Sequence, residues 1–570
     1  MLCKNKVLHL QEIFFCCRNE DVSQNIAITM NNATFFFAEP KNEPVFSYAQ
    51  GSKERELLEK EIKQQYDKCV EIPLIIGGKE VRTGNMADVV MPSEHSHLIA
   101  RYHKADKKTV EEAIKSAMEA RKKWEKVDWI DRCSVMLKAA ELLSTKYRYL
   151  INASTMLGQG KNPFQAEIDS ACETIDFLRF NAYYASKIYA QQPFSDQTAI
   201  NRMEYRPLEG FVYAVSPFNF TSIACNLNIS PVLMGNVTIW KPASTAILSN
   251  YYLMKVLQEA GVPDGVINFV PGDGATISEV VFSSPDFAGV HFTGSTRTFN
   301  GFWKQICSNI DNYKTYPKIV GETGGKDFIF AHKSANPLQL AVAIVRGAFE
   351  YQGQKCSAAS RAYIPNNIWE ETLSHIKTMI PQIKMGSSMG LGNYMNSVID
   401  EKSFDTISSY IDRAKQSKEA EVVVGGGCDK SVGYFIEPTI ILTTNPHYET
   451  MTTELFGPVI TIYVYEQDKY EETLDLCDST SPYGLTGSIF AHSRYDIETA
   501  MQKLRYAAGN FYINDKPTGA VVGNQPFGGA RASGTNDKAG SELNLYRWIS
   551  PRCIKETLNP PTDFTYPFMK

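Results

Sequence analysis

From about residue 207 to residue 330 the chain alternates short apolar runs with helical stretches, and this alternation restricts its fold more than any other feature. Phe211 to Val215, Val237 to Trp240, Val266 to Val270 and Val290 to Phe292 have strand length, while Ile247 to Ala260 has helix length and helical periodicity. Strand, helix, strand, helix calls for an α/β fold with a parallel sheet and right-handed crossovers. Amphipathic helices precede this region. Val110, Ala113, Ile114, Ala117, Met118, Arg121 and Trp124 recur at helical spacing behind a candidate cap at Asp106, with Lys and Glu between them. Residues 188 to 207 read instead as an extended ribbon suited to oligomerisation. From about 326 to 530 a second set of helices and strands follows, including Thr439 to Leu442 and Pro458 to Tyr465. Neither an internal repeat nor a low-complexity tract is visible.

At 570 residues, 43% hydrophobic and 21% charged, the chain has material for two or three packed domains. Its formal net charge of -5 supplies no basic excess for neutralising phosphates, which argues against a nucleic-acid partner. No apolar run approaches the roughly 20 residues that span a bilayer, so no membrane partner is expected. Twelve cysteines without a C-x-x-C pair or zinc-type Cys/His spacing fit a reduced compartment better than disulfides or a metal site. The N-terminal segment, residues 1 to 40, is ambiguous. Lys4, Lys6 and Arg18 alternate with Leu8, Leu10, Ile13, Phe14 and Phe15 as in an import leader, whereas Glu12, Glu20 and Asp21 suit a disordered tail.

Several local strings carry candidate chemistry. Gly294-Ser295-Thr296 follows a short strand and opens a helical stretch toward Ile310, where free N–H groups and the helix dipole suit a pyrophosphate; a plain turn is the competing reading. Lys241 follows the Val237 to Trp240 run, with Pro242 placed to begin the next helix. This puts its ammonium at the ligand-binding edge of a doubly wound sheet, unless it is simply a solvated lysine. Cys356 has small, polar neighbours and Lys355 beside it, a setting that favours thiolate, although most cysteines are inert. Glu322 lies in Gly321-Glu322-Thr323-Gly324-Gly325, a turn that could aim a general base into a cleft or merely cap a surface loop. Asn219, just after a strand, is either an oxyanion donor or a turn former.

Together, and in order, S-P-F-N, W-K-P, F-T-G-S, G-E-T-G-G-K, G-Q-K-C, E-L-F-G-P and Q-P-F-G-G resemble the motif set of the aldehyde dehydrogenase superfamily from about residue 43 onward. N-E-P-V-F, Q-A-E-I-D, R-F-N-A, N-F-Y-I-N-D-K and F-G-G-A-R-A-S-G-T-N-D-K resemble the branch that oxidises L-glutamate γ-semialdehyde, the open form of pyrroline-5-carboxylate, to L-glutamate in proline breakdown. The resemblance implies an aldehyde dehydrogenase fold. Its parts are a Rossmann-like NAD-binding domain (41–187 and 208–325), an α/β catalytic domain (326–529), and an oligomerisation flap with the C-terminal segment (188–207 and 530–570). It implies Cys356 as nucleophile, Asn219 and the Cys356 N–H as oxyanion donors, and Glu322 as the residue that acts as or orients the base for thioester hydrolysis. It places NAD on Ser216, Lys241, Gly294, Ser295, Thr296, Arg297 and Thr298, with Glu454 on the nicotinamide ribose. Ser357, Gly519 and Ala520 are implied to hold the substrate carboxylate, and Phe220 and Phe527 to box its chain. Ser244 stands where many NAD-using relatives carry an acid, which leaves NADP open. No metal is expected; a small-molecule semialdehyde, a homodimer or higher homo-oligomer, and the mitochondrial matrix are. The rivals are a dehydrogenase for another semialdehyde, a non-catalytic protein on the same fold, and a cysteine hydrolase.

Overall fold

A computed structural model describes residues 37–570, and the leader expected before them lies outside the described residues. Phe37, assigned from sequence to the N-terminal segment, packs edge-on against Trp129 with ring centroids 6.1 Å apart.

Two seven-stranded sheets organise the chain. The first runs, edge to edge, Lys318–Glu322, Phe287–Thr293, Phe211–Val215, Thr238–Lys241, Ile267–Phe269, Leu74–Ile76 and Lys79–Val81. Its first five strands are parallel, as the alternation of runs and helices requires, and the last two are antiparallel. Strand order reverses between Phe211–Val215 and Phe287–Thr293, because the chain builds outward on one side of Phe211–Val215 and then returns to the other. At such a switch point the loops leaving the carboxyl ends of neighbouring strands diverge and leave a crevice.

The second sheet runs Ala420–Val424, Thr439–Thr443, Val459–Tyr465, Ala359–Pro365, Asp327–Ala331, Thr486–Phe490 and Asn510–Ile513, parallel except for its first strand. Alternation along a central strand divides its side chains between two cores: Phe328 and Phe330 join one, Ile329 and Ala331 the other. In chain order, the last strand of the first sheet, Lys318–Glu322, leads to the earliest of the second, Asp327–Ala331, through residues 323–326 alone. The carboxyl edge of one sheet is thereby held close to the other sheet.

Local signals act as their chemistry dictates. Asp106 caps the helix Lys107–Trp124: its side chain accepts from Thr109 N–H at 2.8 Å, and Thr109 Oγ1 accepts from Asp106 N–H at 2.9 Å. The helix Ile247–Ala260 has the expected bounds and ends on Gly261 at φ +108. Pro242 does not begin that helix. The strand continues through Lys241, and a short turn of 3-10 helix, Ser244–Ala246, intervenes.

The expected ribbon is shorter than residues 188–207, since the helix Thr174–Ala190 runs into it with Ile188 buried. Its strand, Ala199–Pro207, pairs antiparallel with Ile549–Thr557 over nine residue pairs. Among the described residues no helix is long and apolar enough to cross a membrane.

Arg148 ties the start of the described chain to the helical layer. It donates to Glu43 Oε1 at 2.6 Å and Pro44 O at 2.7 Å, and it also bonds Glu167, which is fully buried. Removing one member of a buried ion pair strands the other charge. Arg148→Met is therefore expected to cost roughly 3–5 kcal/mol in urea unfolding, with part of the loss recovered in the double variant carrying Glu167→Gln.

Candidate active site

The segment Phe349 to Ala359 delivers Cys356 through an uncommon backbone path. Tyr351 (φ 52), Gln352 (φ 54) and Gly353 (φ 65) are consecutively left-handed, a conformation costing on the order of 1–3 kcal/mol for each non-glycine residue. Long-range bonds hold it: Tyr351 Oη donates to Gln159 O at 3.0 Å, and Gln352 Nε2 donates to Gly160 O and Ser397 O, each at 2.9 Å. A Cβ on Gly353 would stand 2.2 Å from Gly457 O, so only glycine lets the G-Q-K-C and E-L-F-G-P motifs meet. The next turn closes with Ala358 N–H donating to Lys355 O at 3.0 Å, leaving Cys356 at its crest as a partly exposed residue.

Burial pushes the Cys356 thiol well above its ordinary pKa, and Asp327, Glu322 and Glu454 push it further in the same direction. The expectation that Lys355 would favour thiolate is corrected here. Its ammonium is directed to Glu350 Oε2 at 3.2 Å and is occupied there. Burial also raises Asp327 to about 8 and Glu454 to about 7, while Lys326 is lowered to about 7 by burial and then by Arg361.

Asn219 is buried, and its Nδ2 donates to Gln354 O at 3.0 Å. An amide nitrogen carries two hydrogens, so this bond engages one of the two that Asn219 can donate, at a carbonyl two residues before Cys356. Glu322 is not on a turn as expected but closes the strand Lys318–Glu322, in register with Thr293. This pairing brings F-T-G-S and G-E-T-G-G together. Glu322 Oε2 accepts from Gly529 N–H of Q-P-F-G-G at 3.2 Å. Burial holds its carboxyl well above the usual carboxylate range, opposed by that N–H and by Lys538.

The expected cofactor residues other than Glu454 lie at the carboxyl edge of the first sheet. Val215 is in register with Lys241 on one side and Phe292 on the other, which places S-P-F-N, W-K-P and F-T-G-S along one crevice. Ser216 Oγ accepts from Trp240 Nε1 at 3.0 Å. Among the described residues no hydrogen bond or ion pair engages the Lys241 ammonium; burial lowers its pKa, and nearby Asp273 opposes this. Ser295 caps the helix Thr296–Ser308, accepting from Thr298 N–H, and Arg297 and Thr298 are exposed in its first turn. A helix N-terminus and an unengaged ammonium on one sheet edge are a donor set suited to a pyrophosphate. Glu454 Oε1 accepts from Gly325 N–H at 2.8 Å.

Of the expected substrate residues, Ser357 is hydrogen-bonded to Thr518 at 2.7 Å, which joins the nucleophile turn to the loop of Gly519 and Ala520. Gly519 adopts φ +99, a left-handed conformation that favours glycine. Phe527 is fixed by reciprocal backbone bonds with Ala539 at 3.0 and 2.8 Å. Phe220 precedes the helix Thr221–Leu233, and the Lys161 ammonium lies 4.1 Å from its ring centroid.

Sequence reasoning missed what supports Phe220. Lys161 is buried and paired with Asp169 at 2.6 Å; Asp169 in turn accepts from Thr221 N–H at 3.1 Å and Ser222 N–H at 2.9 Å, capping the helix that Phe220 cannot cap itself. Glu173, one helical turn on, accepts from Ser222 Oγ at 2.8 Å and is raised by burial to about 8. Asp169 belongs to the Q-A-E-I-D string, but nothing local in that string indicates a partner 52 residues away.

The thiol, the amide, the carboxyls and the donor-lined sheet edge occur in a chain with known relatives. The model of the aldehyde dehydrogenase family matches residues 80–551. The chain belongs to that family. Within it, the chain is 55% identical over 533 residues to a protein named delta-1-pyrroline-5-carboxylate dehydrogenase, mitochondrial, of Dictyostelium discoideum, covering 93% of this chain and 96% of the relative. It is 47% identical over 530 residues to the human protein of the same name, covering 93% and 94%. Among solved structures, the delta-pyrroline-5-carboxylate dehydrogenase of Mycobacterium tuberculosis bound with NAD superimposes with a TM-score of 0.92 at 47% identity, covering 95% of this chain and all of that one. The family assignment thus extends over both sheets and the crevice between their motifs.

Proposed function

We propose that this aldehyde dehydrogenase oxidises L-glutamate γ-semialdehyde, in equilibrium with pyrroline-5-carboxylate, to L-glutamate with NAD, as the second step of proline breakdown. The observation that carries this reading is the Ser357–Thr518 bond. It joins the Cys356 turn to the Gly519–Ala520 loop, so a carboxylate-binding element stands beside the nucleophile in a chain about half identical to relatives of that name. Cys356 Sγ attacks the aldehyde carbon, and the free Asn219 amide hydrogen and the Cys356 N–H hold the resulting oxyanion. Bound NAD supplies the hydride acceptor. Glu322 then takes the proton of the water that hydrolyses the thioester on Cys356, releasing the thiol and the carboxylate product.

Ser216, Lys241, Gly294, Ser295 and the first turn of Thr296–Ser308, with Arg297 and Thr298, would hold the dinucleotide, and Glu454 its nicotinamide ribose. Ser244 leaves that side without a local acid, but Asp273 supplies negative charge near Lys241, which supports NAD over NADP. Ser357, Gly519 and Ala520 bind the α-carboxylate, Phe220 and Phe527 flank the aliphatic chain, and the partly exposed Glu173 offers a carboxyl group, held protonated at neutral pH by burial, near the helix that follows Phe220. An isolated two-stranded ribbon is marginal in water, which supports docking of Ala199–Pro207 and Ile549–Thr557 on a second copy in a homodimer. Relatives named mitochondrial support placement in the mitochondrial matrix.

Reduced cofactor, followed by absorbance with pyrroline-5-carboxylate, tests the assignment. NAD should be used at least about tenfold more efficiently than NADP, by a protein whose light-scattering mass is twice that of the chain. A preference for succinate semialdehyde would replace the substrate and keep the mechanism. Absence of reduced cofactor with any aldehyde would refute both.

A further inference from the structure

Gly519 and Ala520 belong to a loop without regular secondary structure, and a loop presents N–H groups to an anion only if something holds it. One tether is the Ser357–Thr518 bond already described. The other is Lys516, whose Nζ donates to Thr518 O at 2.7 Å. The same ammonium lies 2.8 Å from the point a Cβ on Gly519 would occupy. Any side chain there would therefore displace the cation as well as strain the backbone.

The charges around this corner do not cancel. Glu350 is its buried carboxylate, and both oxygens are taken, Oε1 by Arg346 Nε at 2.8 Å and Oε2 by Lys355 Nζ at 3.2 Å. Asp515 is exposed and accepts from the Lys516 backbone N–H at 2.8 Å. Among the described residues no carboxylate forms an ion pair with the Lys516 ammonium, which is half-buried. Three cations, Arg346, Lys355 and Lys516, thus share one buried carboxylate, and the cation without an ionic partner touches the loop at the substrate end. A half-buried charge is screened by solvent far less than an exposed one, so an anionic group arriving there gains from it.

We propose that Lys516 is a specificity-determining residue, whose ammonium tethers the Thr518–Ala520 loop and supplies the positive field that selects aldehydes bearing a carboxylate over uncharged ones. The inference rests on the substrate reading above and deepens it. Backbone N–H groups and a hydroxyl fix where the carboxylate sits, while the ammonium behind them determines how strongly charge is rewarded.

The test compares the wild type, Lys516→Met and Lys516→Arg with three aldehydes: pyrroline-5-carboxylate in equilibrium with its open form, succinate semialdehyde, and uncharged propanal. Binding of L-glutamate is measured separately by calorimetry. In Lys516→Met the kcat/KM preference for the carboxylate-bearing aldehydes over propanal should fall by about tenfold or more. The loss should lie mainly in KM, with L-glutamate binding weakened by a similar factor. Lys516→Arg, which keeps the charge, should retain most of the preference. Equal losses with propanal and with the carboxylate substrates would reduce Lys516 to a structural tether and overturn the proposal, as would an unchanged preference. A wild type that ignores pyrroline-5-carboxylate but oxidises succinate semialdehyde would overturn the substrate reading alone, and the succinate semialdehyde to propanal ratio would still judge Lys516.

Discussion

Cys356→Ala should abolish NADH formation from pyrroline-5-carboxylate, with kcat/KM lowered by about 10⁴-fold or more, while NAD still binds. Ser357, the adjacent hydroxyl, cannot substitute as nucleophile, because it is committed to Thr518 and among the described residues no histidine or carboxylate hydrogen-bonds it. Absorbance assays together with fluorescence titration of NAD check both halves of the expectation. Residual turnover above about a hundredth of wild type would point to a different nucleophile. The pH dependence carries a sign. Burial and three neighbouring carboxylates hold the thiol above its ordinary pKa. The thiolate fraction is therefore small at neutral pH and grows as pH rises, and a pre-steady-state rate of thioester formation should climb toward alkaline pH.

Glu322→Gln should separate the two halves of the reaction. Thioester formation does not need the carboxylate, but hydrolysis does, so one equivalent of NADH should appear in a burst, followed by turnover slowed about 10²- to 10⁴-fold. Mass spectrometry of the quenched protein should find the acyl group on Cys356. The carboxyl is raised well above the usual carboxylate range by burial. Below that raised pKa it is protonated and cannot accept a proton, so wild-type hydrolysis should increase with pH through it, and the variant should lose that limb. A variant without burst kinetics would mean that Glu322 acts before the thioester forms.

The candidate site residues could be named from the sequence because each motif is local. Cys356, Glu322, Asn219, Lys241 and Gly294 could each be nominated from a few neighbours, and the register between strands brings the strings of Glu322, Asn219, Lys241 and Gly294 to one sheet edge. The Asp106 cap and the helix Ile247–Ala260 follow from spacing alone. What was not legible depends on partners distant in the chain. Lys355 looked like an activator of Cys356 because they are neighbours in sequence, but the fold turns it toward Glu350. Asn219 meets Gln354 across 135 residues, and nothing in either string specifies the other. The strand partner of Ala199–Pro207 was likewise hidden, since Ile549–Thr557 is a short, mostly exposed segment with little apolar pattern.

That last pairing bears on how the protein is made. Arg206 Nε donates to Ser550 O across 344 residues of chain, and Asn236 reaches forward in the same way to Trp548 O. At a synthesis rate of about 5–20 residues per second, the later strand leaves the ribosome roughly 20 to 70 s after its partner. Throughout that interval Ala199–Pro207 lacks its strand partner, and the core of the first sheet still lacks Leu545, Trp548 and Ile549. The nascent chain is thus exposed to chaperones and to wrong strand partners for most of its synthesis, and loop-closure entropy must be overcome before the ribbon can form.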